Sequence, residues 1–306
     1  MELKSRHLLG LEGMSKDEIE LILETAVSFK EVLNRPVKKV PTLQGFTICN
    51  LFFEASTRTR FSFELAQKRL SADTISFSSA GSSTSKGETL KDTARNIEAM
   101  KVDMVVVRHA SAGSAQFLSE RLQAHVINAG DGAHEHPTQG LLDLLTLKEK
   151  LGSLEGVRVI LVGDITHSRV ARSNVLGLQA LGADVGVCGP PTFIPPHFDR
   201  LNVKIYHDID EAIQNADALN ILRIQLERQT LGLFPTVREY HEKFGVTRAR
   251  LDRASKPLII MHPGPINRGV EVDSDVADSE HSVILDQVLN GVAIRMAVMY
   301  LLSLKN

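Results

Sequence analysis

The segment 54–60 concentrates groups that can bind an anion. Its sequence, EASTRTR, places three hydroxyl groups and two guanidinium groups within seven residues. An apolar, strand-like run precedes it, and apolar residues follow at helical spacing. Backbone N–H groups and the dipole at a helix start favour negative charge, so the segment predicts a phosphate-type site. An ordinary N-cap is the alternative, but it needs one hydroxyl group rather than three.

Two further segments could supply polar groups to the same ligand. Residues 78–85 contain only Ser, Thr, Ala and Gly, and Lys86 follows them. This composition favours a simple linker, with a loop that closes over a ligand as the alternative. Arg108 directly follows the apolar run 104–107, so we expect it at the carboxyl end of a strand. A solvated surface arginine is the other interpretation of Arg108.

His136 stands immediately before a predicted helix. Pro137 suits the first helical position, which places His136 at the N-cap, where its imidazole could donate to a substrate oxygen. The alternative is a histidine that only caps its own helix. His134 and His136 also form a His-x-His pair. A pair without a third ligand at fixed spacing is a weak indication, so no metal site is predicted.

The segment 262–265, with the sequence HPGP, follows the apolar run 258–261. Two prolines around a glycine impose an irregular backbone, and such a loop can present carbonyl groups to a ligand. A plain turn is the alternative. After another apolar run, Gly163-Asp164 does not begin a G-x-G-x-x-G sequence, and no G-x-x-x-x-G-K-[ST] sequence occurs. A dinucleotide site and a P-loop hydrolase are therefore disfavoured.

Bulk properties limit the class of protein. The 306 residues carry a formal net charge of -2, which argues against a general nucleic-acid or membrane-surface binder. Cys49 and Cys188 both lie in apolar runs, which is typical of buried free thiols in a reducing compartment. The N-terminus lacks a signal-peptide pattern, and no run approaches the roughly 18 apolar residues of a membrane span. We therefore expect a soluble, cytoplasmic protein.

Short apolar runs alternate with helical patterns along the chain, which predicts an α/β fold of two domains, each an open parallel sheet flanked by helices. In such sheets, ligands bind beyond the carboxyl ends of the strands. The predicted first domain covers 1–135, with a C-terminal helix at 286–306 that packs back on it, and the second covers 136–285. The predicted strands are 46–52, 74–77, 104–107, 126–128, 157–162, 185–188, 218–221 and 258–261.

Four segments together resemble the transcarbamoylases: 56–60, 86–89, 108–109 and 136–139, in the family's order and over nearly the whole chain. The resemblance is to the branch that uses aspartate as acceptor. The ornithine-type branch, which is the alternative, typically has a lysine before Ser-Thr-Arg-Thr and a His-Cys-Leu-Pro loop, whereas this chain has Glu54-Ala55 and HPGP. Gly264 departs from the leucine of some members, which would loosen a packing contact.

The resemblance implies that carbamoyl phosphate and L-aspartate are the substrates and that no metal or cofactor is needed. Arg58, Thr59, Arg108 and His136 would be catalytic, the last three by polarising the carbonyl oxygen. Lys86, Arg169 and Arg223 would supply the positive charges that bind the two carboxylates of aspartate. The implied carbamoyl phosphate contacts are Ser56, Thr57, Arg58, Thr59, Ser82, Lys86, Arg108, His136, Gln139, Gly264 and Pro265. The implied aspartate contacts are Lys86, Arg169, Arg223 and Gln225.

The resemblance also implies an assembly. In the family, the loop that bears Ser82 and Lys86 reaches into a neighbouring subunit's site, so a homotrimer with shared active sites is expected. The polar segment 78–85 then becomes a catalytic element rather than a linker. A regulatory chain or a dihydroorotase could attach to such a trimer, and the sequence leaves this open. A non-catalytic assembly subunit is disfavoured because Arg58, Arg108 and His136 are all present.

Overall fold

The structure, a computed structural model, describes residues 2–78, 89–224 and 236–305. The chain divides into two compact units, Met1–Leu142 with Leu289–Asn306 and Asp143–Val288. Both crossings between the units fall inside helices, Pro137–Leu151 and Ile284–Ser303. The predicted boundaries were 135/136 and 285/286. A helix that continues through a boundary has no linker composition, so the sequence pattern does not mark the crossing residue.

The first unit is built around a parallel sheet. Within the described residues its strand order is β2-β1-β3-β4. The apolar sides of the strands and their helices form a common core that includes Leu51, Val107 and Val126. The elements that the unit contains before its first crossing are α1 (Lys16–Leu33), β1 (Thr47–Phe52), α2 (Thr57–Arg69), β2 (Asp73–Ser78), α3 (Leu90–Ala99), β3 (Met104–His109), α4 (Ser114–Ser119) and β4 (His125–Asp131).

The second unit has the same kind of sheet, with strand order β7-β6-β5-β8-β9 among the described residues. Its core includes Val162, Ile221 and Ile260. The elements from the first crossing onward are α5 (Pro137–Leu151), β5 (Arg158–Val162), α6 (Arg169–Ala180), β6 (Asp184–Cys188), β7 (Lys204–Tyr206), α7 (Ile209–Asn215), β8 (Ala218–Ile221), α8 (Val237–Phe244), α9 (Arg248–Leu251), β9 (Ile259–Met261), α10 (Ser274–Ala277) and α11 (Ile284–Ser303).

The α/β prediction of two open parallel sheets is confirmed, because the strand pairs given for both sheets are parallel. Each predicted strand is present, with ends that shift by up to three residues. The sequence missed β7 (Lys204–Tyr206), which has three residues and only one fully buried side chain. So short a strand carries no readable alternation of apolar and polar residues.

Both cysteines are buried free thiols, as predicted. Burial raises the pKa of the Cys49 thiol to about 11 and that of Cys188 to about 12. The reactive thiolate form is therefore scarce at neutral pH, and neither cysteine is a candidate nucleophile.

The last helix corrects one expectation about apolar runs. By length and composition alone, α11 (Ile284–Ser303) could cross a membrane, with a mean hydropathy of 1.3 over its best 18 residues. However, 67% of that window is buried within the fold, and the residues from Ala293 to Met299 are almost inaccessible to solvent. Burial within the fold therefore explains the apolar composition of this helix.

A buried amide pair holds α2 against β1. Asn50 Nδ2 donates to Gln67 Oε1 at 3.0 Å, and Gln67 Nε2 donates back to Asn50 Oδ1 at 2.8 Å. Both side chains are completely buried. This pair fixes the orientation of α2 relative to β1. It therefore also positions the predicted anion site, which lies at the start of α2.

We expect Gln67→Leu to destabilise the protein by about 2 kcal/mol, because it leaves the buried Asn50 amide without its reciprocal partner. The measurement is the midpoint of urea-induced unfolding. Gln44→Leu, the same change at an exposed position, is the matched control and should leave the midpoint almost unchanged. Equal midpoints for the two variants would contradict the role of the pair.

Candidate functional site

The strand order of the first sheet defines where a ligand can bind. From β1 the chain moves to β2 on one side and then to β3 on the other, so the order reverses between β1 and β3. In open parallel sheets, the crevice beyond the carboxyl ends of the strands at such a reversal is the usual ligand site. Phe52, the last residue of β1, lies opposite Arg108 in β3. The segment 54–60 and Arg108 therefore meet at this edge.

The start of α2 differs from several other described helix starts, although the N-cap Asp273 of α10 likewise makes no side-chain capping hydrogen bond. Ser56 is the N-cap, but its side chain makes no capping hydrogen bond, and the first turn contains no acidic residue. By contrast, the N-cap side chains of α1, α3, α6 and α8 all accept one, and these are Ser15, Thr89, Ser168 and Thr236. The ordinary N-cap interpretation of Ser56 is thus wrong. The hydroxyl and the positive helix end are both suited to an anion.

The other residues of this segment line the same helix start. Thr57 and Arg58 are exposed, and Thr59 is half-buried. All of them lie in the first turn of α2, which begins at Thr57. Hydroxyl, guanidinium and backbone donors thus share one surface, which is the donor set that a phosphate group requires.

Arg108 is held in place by two neighbouring elements. Its Nη1 donates to Ala129 O of β4 at 3.1 Å, and its Nη2 contacts Glu54 Oε1 at 3.1 Å. Only 13% of the Arg108 side chain is exposed. Arg108 is the fifth residue of the six-residue strand β3, so it lies at the carboxyl end of the strand, as predicted, although the strand extends two residues beyond the predicted end. The partly buried ion pair also excludes a freely solvated surface arginine.

Asp131 organises the turn that leads to His136. It is 2% exposed and accepts hydrogen bonds from Gly113 N at 2.7 Å, Asn128 Nδ2 at 2.8 Å and Glu135 N at 3.2 Å. A carboxylate that accepts several donors in a buried turn holds the backbone in one conformation. The sequence analysis missed Asp131, because its burial cannot be inferred from the polar segment around it.

α5 begins at Pro137, as predicted, and His136 directly precedes it. His136 is only 4% exposed, and Gln139 in the first turn is 9% exposed. A buried imidazole at a helix start has a fixed direction, which suits donation to a ligand oxygen better than a mobile surface side chain would.

His134 and His136 do not act as a pair. Within the described ranges, Glu12, His134 and Glu135 form the group of three possible metal-ligand side chains, with ligand atoms within 4.8 Å of one another, and His136 is not a member. Glu135 already accepts a hydrogen bond from Leu11 N at 2.8 Å. The same residues line a cavity of about 390 Å³ that contains none of the predicted substrate contacts.

The second sheet repeats the reversal of strand order, here between β5 and β8, where Val162 lies opposite Ile221. Arg169 begins α6, the helix that follows β5, and it is 5% exposed. Arg223 lies two residues beyond the end of β8 and is half-buried. Both predicted aspartate contacts therefore lie at the carboxyl edge of this sheet, where ligands usually bind in folds of this type.

The loop 262–265 follows β9, which pairs with β8. Gly264 has a φ of 66°, in the left-handed region that glycine adopts without strain, and its peptide bond to Pro265 is cis. The glycine that departs from the family's leucine is thus well suited to this backbone. The loop is more than a plain turn, because a buried side chain holds it. His262 is 2% exposed and makes hydrogen bonds through both ring nitrogens.

Three of the predicted contacts, Ser82, Lys86 and Gln225, lie outside the described residues. The remaining ones fall at the carboxyl edges of their sheets. The residues that the sequence analysis missed are the buried partners of those contacts: Glu54 beside Arg108, Asp131 before His136, and Gln287 and Glu271 beside His262.

Among known proteins, two family models match this chain and together span almost all of it. Residues 6–149 match the family "Aspartate/ornithine carbamoyltransferase, carbamoyl-P binding domain", and residues 155–302 match "Aspartate/ornithine carbamoyltransferase, Asp/Orn binding domain". A protein of Gemmatimonas aurantiaca named aspartate carbamoyltransferase catalytic subunit is 62% identical over 97% of this chain and 93% of its own length.

Two solved structures are similar in fold. Aspartate transcarbamoylase from Trypanosoma cruzi in complex with carbamoyl phosphate has a TM-score of 0.89 at 29% identity, covering 97% of this chain and 96% of its own. Ornithine carbamoyltransferase from Pyrococcus furiosus has a TM-score of 0.86 at 30% identity, covering 98% of each chain. The fold alone therefore does not separate the two acceptors.

The uncapped start of α2 predicts that the protein binds inorganic phosphate. We expect Ser56→Ala and Arg108→Gln each to weaken phosphate binding by roughly tenfold or more, because each removes a hydrogen bond to a charged ligand. Isothermal titration calorimetry with inorganic phosphate is the measurement. Ser15→Ala, which removes the N-cap hydroxyl of α1 instead, should leave the affinity unchanged. Equal affinities for Ser56→Ala and Ser15→Ala would contradict the assignment.

Proposed function

The chain belongs to the aspartate/ornithine carbamoyltransferase family, and from this premise we propose that it is the catalytic chain of an aspartate carbamoyltransferase. It transfers the carbamoyl group of carbamoyl phosphate to the α-amino group of L-aspartate, giving N-carbamoyl-L-aspartate and phosphate. The observation that carries the proposal is the 62% identity, over nearly the full length, to a protein named for this activity. The ornithine-type alternative is supported by the two family models, which cover both branches, and by a solved structure at 30% identity.

In this proposal, the first unit binds carbamoyl phosphate through the phosphate group of the substrate. Ser56, Thr57, Arg58 and Thr59 surround the phosphate at the start of α2, and Arg108 bridges toward the carbonyl. Two features support this role: the Ser56 hydroxyl does not cap its helix, and the register of β1 with β3 brings Arg108 to the same edge. The helix dipole adds a favourable field without further cations.

The carbonyl oxygen of carbamoyl phosphate is polarised by Thr59, Arg108 and His136. Charge develops on this oxygen when the α-amino group of aspartate attacks the carbonyl carbon, and donors directed at it lower the barrier. The tetrahedral intermediate then expels phosphate, and the amino proton leaves with the departing group or through solvent. His136 acts as a donor in this scheme and not as a general base. Gln139 and the backbone of Gly264 and Pro265 orient the carbamoyl amide.

Aspartate brings two carboxylates, so its site requires cations. Arg169 and Arg223 supply them from the second unit, and the reversal of strand order between β5 and β8 supports their placement. Lys86 and Gln225 complete the predicted set on the resemblance to the family. A guanidinium group binds a carboxylate with two parallel hydrogen bonds, which fixes the direction of the substrate as well as its charge.

We extend the proposal to the assembly and setting of the protein, on its resemblance to the family. The protein is a cytoplasmic homotrimer that acts in pyrimidine biosynthesis, and Ser82 and Lys86 complete the site of a neighbouring subunit. A regulatory chain or a dihydroorotase is a possible partner of the trimer. The resemblance to the family implies no metal or cofactor, so orientation and charge stabilisation would supply most of the rate.

The acceptor is tested by phosphate release from carbamoyl phosphate with aspartate or ornithine. We expect release with aspartate alone and its loss in Lys86→Ala, because that change removes a cation from the predicted site. Lys91→Ala, at an exposed position of α3, is the matched control and should retain activity. Release with ornithine alone would overturn the choice of acceptor, and release with neither would contradict the enzymatic proposal for the isolated chain.

The two histidines of the His-x-His pair provide a second test. His136→Ala should lower kcat by roughly 100-fold or more, the usual effect of losing one donor to a developing oxyanion. His134→Ala should stay within about threefold, because the contact shown for its Nδ1 is with Asp131, on the turn before the site. Steady-state kinetics with both substrates is the measurement. Similar losses in the two variants would indicate damage to the turn rather than loss of a catalytic donor.

A further inference from the structure

Buried polar side chains of the second unit hold the loop 262–265. His262 N donates to Gln287 Oε1 at 2.9 Å, and Gly264 N donates to His262 Nδ1 at 2.7 Å. His262 is 2% exposed and Gln287 is 3% exposed. The backbone of the loop is therefore bonded to side chains at its first and third residues.

These contacts define the tautomer of His262. Because the Gly264 N–H group donates to Nδ1, this nitrogen carries a lone pair, and the proton of the neutral ring lies on Nε2. Nε2 is 3.2 Å from Glu271 Oε1, and neither side chain is accessible to solvent. The Glu271 carboxylate accepts a hydrogen bond from Nε2–H and so stabilises the tautomer whose Nδ1 can accept from Gly264 N–H.

Gln287 is itself anchored in the core of the unit. Its Nε2 donates to Asp143 Oδ1 at 2.7 Å. The other carboxylate oxygen of Asp143 accepts from Asn174 Nδ2 at 2.8 Å and from Asn220 Nδ2 at 3.1 Å. Amides from α6 and β8 thus fix Asp143, Asp143 fixes Gln287, and Gln287 fixes the His262 backbone.

Glu271 connects the loop to the neighbouring cationic segment. Its Oε1 also accepts from Asn267 N at 2.5 Å, and Asn267 Nδ2 donates to Ile224 O at 3.0 Å. Ile224 directly follows Arg223. The same carboxylate therefore sets the position of Gly264, through His262, and of the chain beside Arg223, through Asn267.

We infer that His262, Gln287 and Glu271 are positioning residues for carbamoyl transfer, which act by holding the Gly264–Pro265 backbone against the carbamoyl amide. This inference rests on the proposed function, in which that backbone orients the amide. None of the three touches substrate in this scheme. Their effect appears in recognition of the carbamoyl group and not in recognition of the phosphate group.

Two variants of His262 distinguish the contribution of the contact at Nδ1 from that of the contact at Nε2. His262→Asn places an amide oxygen near the position of Nδ1, where it can still accept from Gly264 N–H. His262→Gln places its amide near Nε2 and leaves Gly264 N–H without this acceptor. We expect kcat/KM for carbamoyl phosphate to fall roughly 10- to 100-fold in His262→Gln, the scale of a small misplacement of reacting groups. The Asn variant should stay within about threefold.

Glu271 gives an independent pair. Glu271→Gln keeps an oxygen that can accept from His262 and Asn267, so it should retain most activity. Glu271→Leu removes the acceptor and should reproduce the loss of His262→Gln. Glu280→Leu makes the same change at an exposed position and is the control. Equal activity of Glu271→Leu and Glu280→Leu would overturn the inference.

The affinity for inorganic phosphate, measured by calorimetry, distinguishes positioning from general damage. In His262→Gln and Glu271→Leu it should remain within about twofold of the original protein, while kcat/KM falls. Parallel losses of phosphate affinity and kcat/KM would mean that these residues act only on stability. Equal losses in His262→Gln and His262→Asn would exclude the contact from Gly264 to Nδ1.

A spectroscopic readout tests the tautomer without relying on activity. In protein labelled with nitrogen-15 at its 11 histidines, the resonance absent from His262→Asn identifies His262. It should show an unprotonated Nδ1 and a protonated Nε2. The opposite tautomer would overturn the inference even in an active enzyme. The expected tautomer in a chain that transfers no carbamoyl group would instead contradict the proposed function.

Discussion

The pairing of β1 with β3 is the constraint on which the first half of the candidate site depends. Because the strands are parallel and Phe52 lies opposite Arg108, a helix start from one strand and a guanidinium from the next arrive at the same sheet edge. The chain leaves β1 and β3 toward opposite sides at this point, which opens a crevice beyond the carboxyl ends of the two strands. A shift of one residue in register would turn Arg108 to the other face of the sheet.

The second sheet has the same reversal of strand order, and there it places a different set of side chains. Its order also reverses beside its first strand, and the residues that follow β5 and β8 include Arg169 and Arg223. A chain with a formal net charge of -2 thus concentrates cations at two sheet edges. Local placement of charge, and not the overall charge, makes the protein suitable for anionic substrates.

The sequence predicted those features that depend on local pattern. The alternation of apolar runs and helices identified both sheets, and Pro137 identified the start of α5 to the residue. It did not predict the buried polar partners, such as Asp131 or Glu271. A buried carboxylate is recognisable only from the donors around it. Even nearby donors, such as Asn128 and Glu135 around Asp131, are brought to it by the folded turn and not by a readable sequence pattern. The contact between Gln287 and Asp143 joins positions that are 144 residues apart, and no local spacing encodes such a pair.

The buried pair of His262 and Glu271 shows why these polar partners matter for geometry. Removing a carboxylate from water is costly, and apolar side chains of similar size would often stabilise a core at least as well. Apolar side chains, however, cannot select a tautomer or accept a backbone N–H group. At this position one carboxylate oxygen orients an imidazole and a backbone amide. The pair therefore contributes direction. In the proposed scheme, the loop presents its backbone to a small, flat carbamoyl group, and that role would depend on direction more than on added stability.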